Sequence, residues 1–154
     1  MRFVAFSDTH DNVKAIRDLI DEIKNEKAEF FIHAGDVISP FALKEFSGIE
    51  RLYLTFGNND GDRIKLLEIA LKNNWIAGEV IVVEGVAVYH GTSPEILDVL
   101  LAKYGIVVSG HTHRAEVRKD RSSLLINPGE ASGYLTGKRT YAIYEDGDVS
   151  IMEF

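Results

Sequence analysis

The sequence predicts an α/β fold whose strand pairing is parallel early and more antiparallel late. Two patterns carry this prediction. In the first half, short apolar runs ending at glycine or polar turns alternate with stretches of helical apolar spacing, as expected of strands joined by right-handed crossovers. In the second half, short runs follow one another across turn signals, with one helix between them. A third observation bounds the size. A chain of 154 residues, 45% apolar and 27% charged, can bury a core without staples and reads as one domain over 1–154.

Each element has a local reason. Phe3 to Phe6 is a continuous apolar run, the mark of a strand covered on both faces. Asp11 or Asn12 can cap the helix that follows, with the stripe Val13, Ile16, Leu19, Ile20 and Ile23. Phe30 to Ile32 is a second strand, running into His33-Ala34-Gly35-Asp36. Phe41 to Phe46 suits a short helix, and Leu52 to Phe56 a third strand. Asp62 suits the N-cap of a helix whose apolar positions are read as Ile64, Leu67, Ala70 and Leu71. Val80 to Val83 and Val86 to Tyr89 flank Glu84-Gly85, a hairpin turn. Ser93-Pro94 opens a helix through Leu97, Leu100, Leu101 and Tyr104, which Gly105 can close. Strands at Ile106 to Val108, Ala115 to Arg118, Leu124 to Ile126, Thr140 to Tyr144 and Val149 to Met152 complete the chain. The last two meet at Asp146-Gly147.

Composition narrows the function classes. No apolar stretch approaches the roughly 20 residues that span a bilayer, so no membrane role is expected. The N-terminal apolar run is too short for a signal peptide, and the chain has no cysteine, which fits the reducing cytoplasm. A net charge of -7 argues against an extended nucleic-acid surface. Such a chain can still take an anionic substrate if bound cations reverse the local sign.

Polar side chains of metal-binding type recur at the strand ends. The clusters are Asp8-Thr9-His10, Gly35-Asp36, Gly57-Asn58-Asn59-Asp60, His90-Gly91 and Gly110-His111-Thr112-His113. Four of the five histidines fall within them. In open α/β sheets the loops past the strand carboxyl ends converge on one crevice. Asp8 with His10, and His111 with His113, point to one side of an extended backbone and can act as pincers. A His/Asp/Asn set without thiolate suits borderline-hard divalent ions. Seven candidate ligands (Asp8, His10, Asp36, Asn58, His90, His111 and His113) exceed what one ion needs, and one carboxylate can bridge two. The pattern points to a two-metal hydrolytic site.

On these motifs the chain resembles the calcineurin-like metallophosphoesterase superfamily, whose elements are D-x-H, G-D, G-N-[HN]-[DE], an isolated H and G-H-x-H. Asn127-Pro128-Gly129 and Gly133-Tyr134-Leu135-Thr136-Gly137 resemble stretches of its small microbial phosphodiesterase branch. The resemblance runs from residue 3 to about Tyr144. It implies a four-layer α/β/β/α sandwich with mixed sheets and two divalent ions, with Mn first and Ni, Fe, Zn or Co as alternatives. One ion would be held by Asp8, His10, Asp36 and His113, the other by Asp36, Asn58, His90 and His111. Asp36 would bridge, with a water or hydroxide as second bridge and nucleophile for in-line attack on phosphorus. Asn58 and His90 are the catalytic candidates, through metal and phosphate contacts.

The chain departs from the wider pattern at two positions. Asn59 stands where many members place histidine, and it can donate a hydrogen bond to phosphate but no proton. Thr92 stands where many read the second histidine of H-G-H. Asn59 is read as a substrate contact, and Thr92 either as one or as part of the loop before the Ser93 cap. The expected partner is a small phosphoester, and an exposed aromatic patch would support a homodimer or higher oligomer. The alternatives are a phosphomonoesterase, nucleotidase or nuclease and, in another class, an interaction scaffold such as the retromer subunit of this superfamily. Outside the ligand set, His33 is read as a core or turn histidine near Gly35 and Trp75 as core. Asp60 reads as a turn residue, with a bond behind a ligand as the lesser reading. Glu130 reads either as orienting a ligand histidine or as exposed. Arg63, Lys138 and Arg139 read as surface charge, with a phosphate clamp as the lesser reading.

Overall fold

The structure, a computed structural model, describes residues 1–120 and 122–154. The chain enters as β1 (Arg2–Phe6), whose side chains alternate between two apolar layers. Val4 and Phe6 pack toward helices, while Phe3 and Ala5 pack toward a second sheet. That double burial is why the strand reads as an unbroken apolar run. Asn12 caps α1 (Val13–Ile23), its side chain accepting the Ala15 N–H, and the helix buries Ala15, Ile16, Leu19 and Ile23. β2 (Phe30–His33), β3 (Leu52–Thr55) and β4 (Ile76–Gly78) then add parallel to β1 in turn. α2 (Pro40–Lys44), continued by one 3-10 turn, and α3 (Arg63–Lys72) connect them. The three-residue β4 carries no alternation and was not expected from the sequence.

α3 corrects one expectation. Its Asp62 cap is as read, but the buried face is Leu66, Ile69 and Ala70. Ile64 and Leu71 are largely exposed instead, and Leu67 is exposed as well.

The second sheet begins with the hairpin of β5 (Val80–Val83) and β6 (Val86–Tyr89), turned by Glu84 and Gly85 in left-handed backbone. α4 (Pro94–Lys103), capped by Ser93, crosses to β7 (Ile106–Val108), parallel to β6. β8 (Ala115–Asp120) and β9 (Ser123–Pro128) pair antiparallel, and β9 lies parallel to β7. β10 (Thr140–Glu145) returns to the first sheet antiparallel to β1, and β11 (Asp148–Glu153) closes its edge. The sheet orders are β11-β10-β1-β2-β3-β4 and β5-β6-β7-β9-β8.

Three apolar clusters fill the spaces between layers. α1 to α3 cover one face of the first sheet, the two sheets share a core, and α4 covers the outer face of the second. This is the four-layer α/β/β/α sandwich with mixed sheets. Phe3, Phe30 and Tyr144 stack in its centre, where each fully buried large side chain contributes roughly 1.5–3 kcal/mol. Trp75 is core, its indole N–H donating to the Ile49 carbonyl. Among the described residues no helix is long and apolar enough to cross a membrane. The loops after β1, β2, β3, β6 and β7 leave strand carboxyl ends, and the candidate ligands sit there.

Candidate metal centre

The loop after β1 turns sharply, with Asp8, His10 and Asp11 in left-handed backbone, so the extended pincer expected for Asp8 and His10, and likewise for His111 and His113, is corrected to a turn. Its N–H groups bond the loop after β2, Asp8 to the Gly35 carbonyl and His10 to the Asp36 carbonyl. The two loops are therefore laced side by side. Asp36, His111 and His113 are left-handed as well, so five of the seven candidate ligands hold a conformation uncommon outside glycine. Such backbone concentrates at functional sites, where surrounding contacts over-determine it.

Two glycines make the close packing possible. A Cβ on Gly57 would overlap the Asp36 carboxylate, and one on Gly110 would overlap Ser7 and the Asp8 carboxylate. Gly57 and Gly110 hence let the loops after β3 and β7 close on the two aspartates.

The convergence is tight at one end. His113 Nε2 lies 3.4 Å and His10 Nε2 3.7 Å from Asp8 Oδ1. His10 Nε2 and His90 Nε2 lie 3.4 and 3.3 Å from Asp36 Oδ2. Ligand atoms of Asp8, His10 and His113, and of Asp8, Asp36 and His90, fall within 4.8 Å of one another. Asp8 thus reaches both groups. His111 and Asn58 sit more openly. The exposed His111 ring stacks edge-on to His90 at 5.2 Å, and Asn58 lies exposed on the turn after β3.

Whether these residues fit a metal is decided by their unused atoms. Asp8 Oδ1, His10 Nε2 and His90 Nε2 are buried and find no hydrogen-bond partner among the described residues. Buried polar atoms without partners are costly and rare. The Nε2–carboxylate separations are too long for good hydrogen bonds, yet they match the spacing of neighbouring ligands on ions bound at about 2.0–2.2 Å. The donor set fits a divalent cation.

The electrostatics agree. The neighbouring Asp8 carboxylate raises the His10 pKa, and Asp36 raises that of His90 even against burial. Burial also opposes charge on Asp36, but the adjacent His90 ring and hydrogen bonds from Asn59 hold its carboxyl far below the usual range. The carboxylates draw positive charge onto the rings, and a cation competes for the same lone pairs.

A second tier of side chains fixes the ligands. The His90 Nδ1–H donates to the Ala34 carbonyl at 2.7 Å, aiming Nε2 at Asp36. Asn59 donates through its backbone and side chain to the two Asp36 oxygens, at 2.9 and 2.8 Å. The His111 N–H donates to Asp8 Oδ2. Asp60 is buried, accepting the N–H groups of Asp36, Gly57 and Ile38, and burial raises its pKa. It ties two ligand loops together, the lesser of its two sequence readings. Glu130 is fully buried and accepts from His113 Nδ1 at 2.7 Å. Burial resists its charge, but donors from His113, Thr136 and Ser132 prevail and lower its pKa to about 2. Nothing in the sequence marks either carboxylate as buried, since the donors are mostly backbone N–H groups, which almost any residue type supplies, and small hydroxyls, brought round by the loop turns.

The remaining residues sort plainly. His33 is buried, bonded through Nε2 to Thr9 and accepting the Gly35 N–H at Nδ1, and burial pushes its pKa down to about 3. Arg63 pairs with Glu79 and donates to the Gly57 carbonyl. Arg139 pairs with Asp18, and Lys138 with Glu153. Thr92 hydrogen-bonds the Tyr89 hydroxyl at 2.8 Å.

Comparison with known proteins now decides the family. The calcineurin-like phosphoesterase superfamily domain matches residues 1–148. This chain belongs to that superfamily. It is 36% identical to a phosphodiesterase of Methanocaldococcus jannaschii over 154 aligned residues, covering 94% of this chain and 93% of the relative. A solved archaeal phosphodiesterase superposes with a TM-score of 0.94 at 34% identity, over 100% of both chains. Vacuolar protein sorting 29 from Cryptosporidium parvum superposes at 0.70 with 19% identity, covering 99% of this chain and 97% of that one; this likeness is of fold alone. A superfamily enzyme of the phosphoesterase class accords with the motifs.

Proposed function

We propose that this chain is a phosphodiesterase working with two divalent ions on a small phosphoester. The supporting observation is the set of partnerless atoms, Asp8 Oδ1, His10 Nε2 and His90 Nε2, gathered between two buried carboxylates. Asp8, His10, Asp36 and His113 would hold one ion; Asp36, Asn58, His90 and His111 the other, with Mn preferred. When bound, such ions supply positive charge for phosphate and a water acidic enough to attack phosphorus.

The rest falls to the chain. Asp36, its charge secured by Asn59, joins the two halves. Two ligand carboxylates leave a site of two divalent ions net positive, which suits an anionic diester on an acidic protein. Asn58 and His90 place the phosphoryl oxygens. The Asn59 amide and Thr92 hydroxyl border the site as neutral contacts to substrate. Neither can protonate a leaving group, so diesters with good leaving groups turn over best. A rate independent of leaving-group pKa would contradict that assignment.

The test is hydrolysis of a bis(aryl) phosphate by metal-stripped protein with each ion restored in turn. Mn should restore the largest rate, and Asp36→Asn, which keeps size and tolerance for left-handed backbone, should lose it. Wild-type rates in Asp36→Asn would sink the proposal. The fold likeness to a sorting protein raises a scaffold reading, but the complete ligand set favours the enzyme.

A further inference from the structure

Glu130 lies outside the ligand motifs, yet it is among the most completely satisfied side chains in the molecule. Its Oε2 accepts from His113 Nδ1 at 2.7 Å and from the Ser132 hydroxyl at 3.0 Å. Its Oε1 accepts the N–H groups of Leu135 and Thr136 and the Thr136 hydroxyl. Thr136 in turn lines a cleft that opens beside His113, with Arg114 and Lys138. One carboxylate thereby joins a ligand ring to the loop forming the cleft wall. The neighbouring residues bind the same loop to the centre, Ser132 N–H donating to the Asp8 carbonyl and Asn12 Nδ2 to the Ser132 carbonyl.

We infer that Glu130 is a positioning residue for the metal centre, holding the His113 proton on Nδ1 so that the Nε2 lone pair faces the ion beside Asp8. The inference rests on the metal-centre reading above. The division of labour between the two oxygens makes it testable. A glutamine has one acceptor oxygen where glutamate has two. The Leu135 and Thr136 N–H groups cannot reverse, so they claim that oxygen. The amide NH2 then faces His113 Nδ1 and Ser132. The hydroxyl can rotate to accept, but the ring must accept at Nδ1 and carry its proton on Nε2. That proton occupies the lone pair the ion requires. Glu130→Gln therefore keeps the loop anchored while turning His113 away from metal binding.

The experiment titrates Mn2+ alone into metal-stripped wild type, Glu130→Gln and Thr136→Val, with calorimetric detection. Glu130→Gln should weaken the tighter site by about 10–100-fold, the usual effect of losing an outer partner of a ligand. Thr136→Val removes a loop contact to Glu130 but leaves Oε2 on His113, and should bind Mn2+ as the wild type does. In a His113→Asn background, Glu130→Gln should add no further loss. Wild-type affinity in Glu130→Gln, an equal loss in Thr136→Val, or an additive loss without His113 would each overturn the inference. Should Glu130→Gln fail to fold, the zinc-loaded wild type supplies a nuclear magnetic resonance signature. The His113 Nδ1 proton should then lie downfield of those of His10 and His111 and exchange more slowly; parity among the three would overturn the inference. Absence of metal uptake by the wild type would remove the metal-centre reading and the inference together, whereas uptake with an indifferent Glu130→Gln removes the inference alone.

Discussion

The two ends of the candidate centre are built differently. Around Asp8, His10 and His113 every ligand side chain is buried or nearly so, the backbone is laced to its neighbour, and Glu130 braces a ring. At the other end His90 is buried and braced by the Ala34 carbonyl, but His111 and Asn58 are exposed. A site pre-formed by the fold loses little conformational entropy when an ion enters, while one with two exposed, solvated side chains must restrict them on binding. The same ligand chemistry should therefore yield unequal affinities, with the enclosed end filling first.

The most damaging test strikes what both ends share. Asp36→Asn should cost activity by more than about 100-fold, beyond the 10–100-fold typical of outer partners, as read from hydrolysis at saturating Mn2+. Gly57→Ala comes next. Its Cβ would drive the loop after β3 off Asp36, so both ions should bind more weakly and activity should fall at least about 10-fold. Replacing His10 and His111 separately sharpens the contrast. In a Mn2+ titration, His10→Asn should remove the tighter class of site and His111→Asn the weaker one, leaving the first intact. Equal losses would show the two ends to be energetically alike. Occupancy should also be visible in stability. Mn2+ at about 100 times its dissociation constant adds roughly 2.7 kcal/mol, or about 5–10 °C in Tm for a chain of this size.

The remaining test leaves activity aside and concerns His33, buried behind the enclosed end. Its folded pKa lies near 3, below the unfolded value of 6.5. As pH falls through 6.5 the unfolded chain gains a proton that the folded chain refuses, so stability is lost progressively down to about pH 3. Urea melts of metal-free wild type and His33→Gln should diverge progressively as pH falls below 6.5, and parallel curves would assign the acid sensitivity elsewhere.

Much of this was legible in the chain itself, and the gaps have physical causes. α1 announced its inner face because polar residues fill the other side. α3 has apolar residues all round, so spacing gave no phase and the sheet chose Leu66, Ile69 and Ala70 over Ile64 and Leu71. β5 and β6 were fixed by a turn that demands left-handed residues, whereas the short β4 has no such mark. At the centre, the five clusters declared themselves through repeated residue types at strand ends. Glu130 and Asp60 did not, because a buried carboxylate is spelled like an exposed one until the turns of the folded loops close N–H groups around it.

The left-handed turns beneath five candidate ligands also bear on anyone who wishes to silence the centre without disturbing the scaffold. Alanine at Asp8, Asp36 or His111 would erase a donor and, with it, much of the residue's tolerance for that backbone. A melted loop could then pass for lost chemistry. Asparagine accepts the same dihedrals and is the fairer blank. At these positions the choice of replacement decides whether an experiment interrogates the ion or the hinge beneath it.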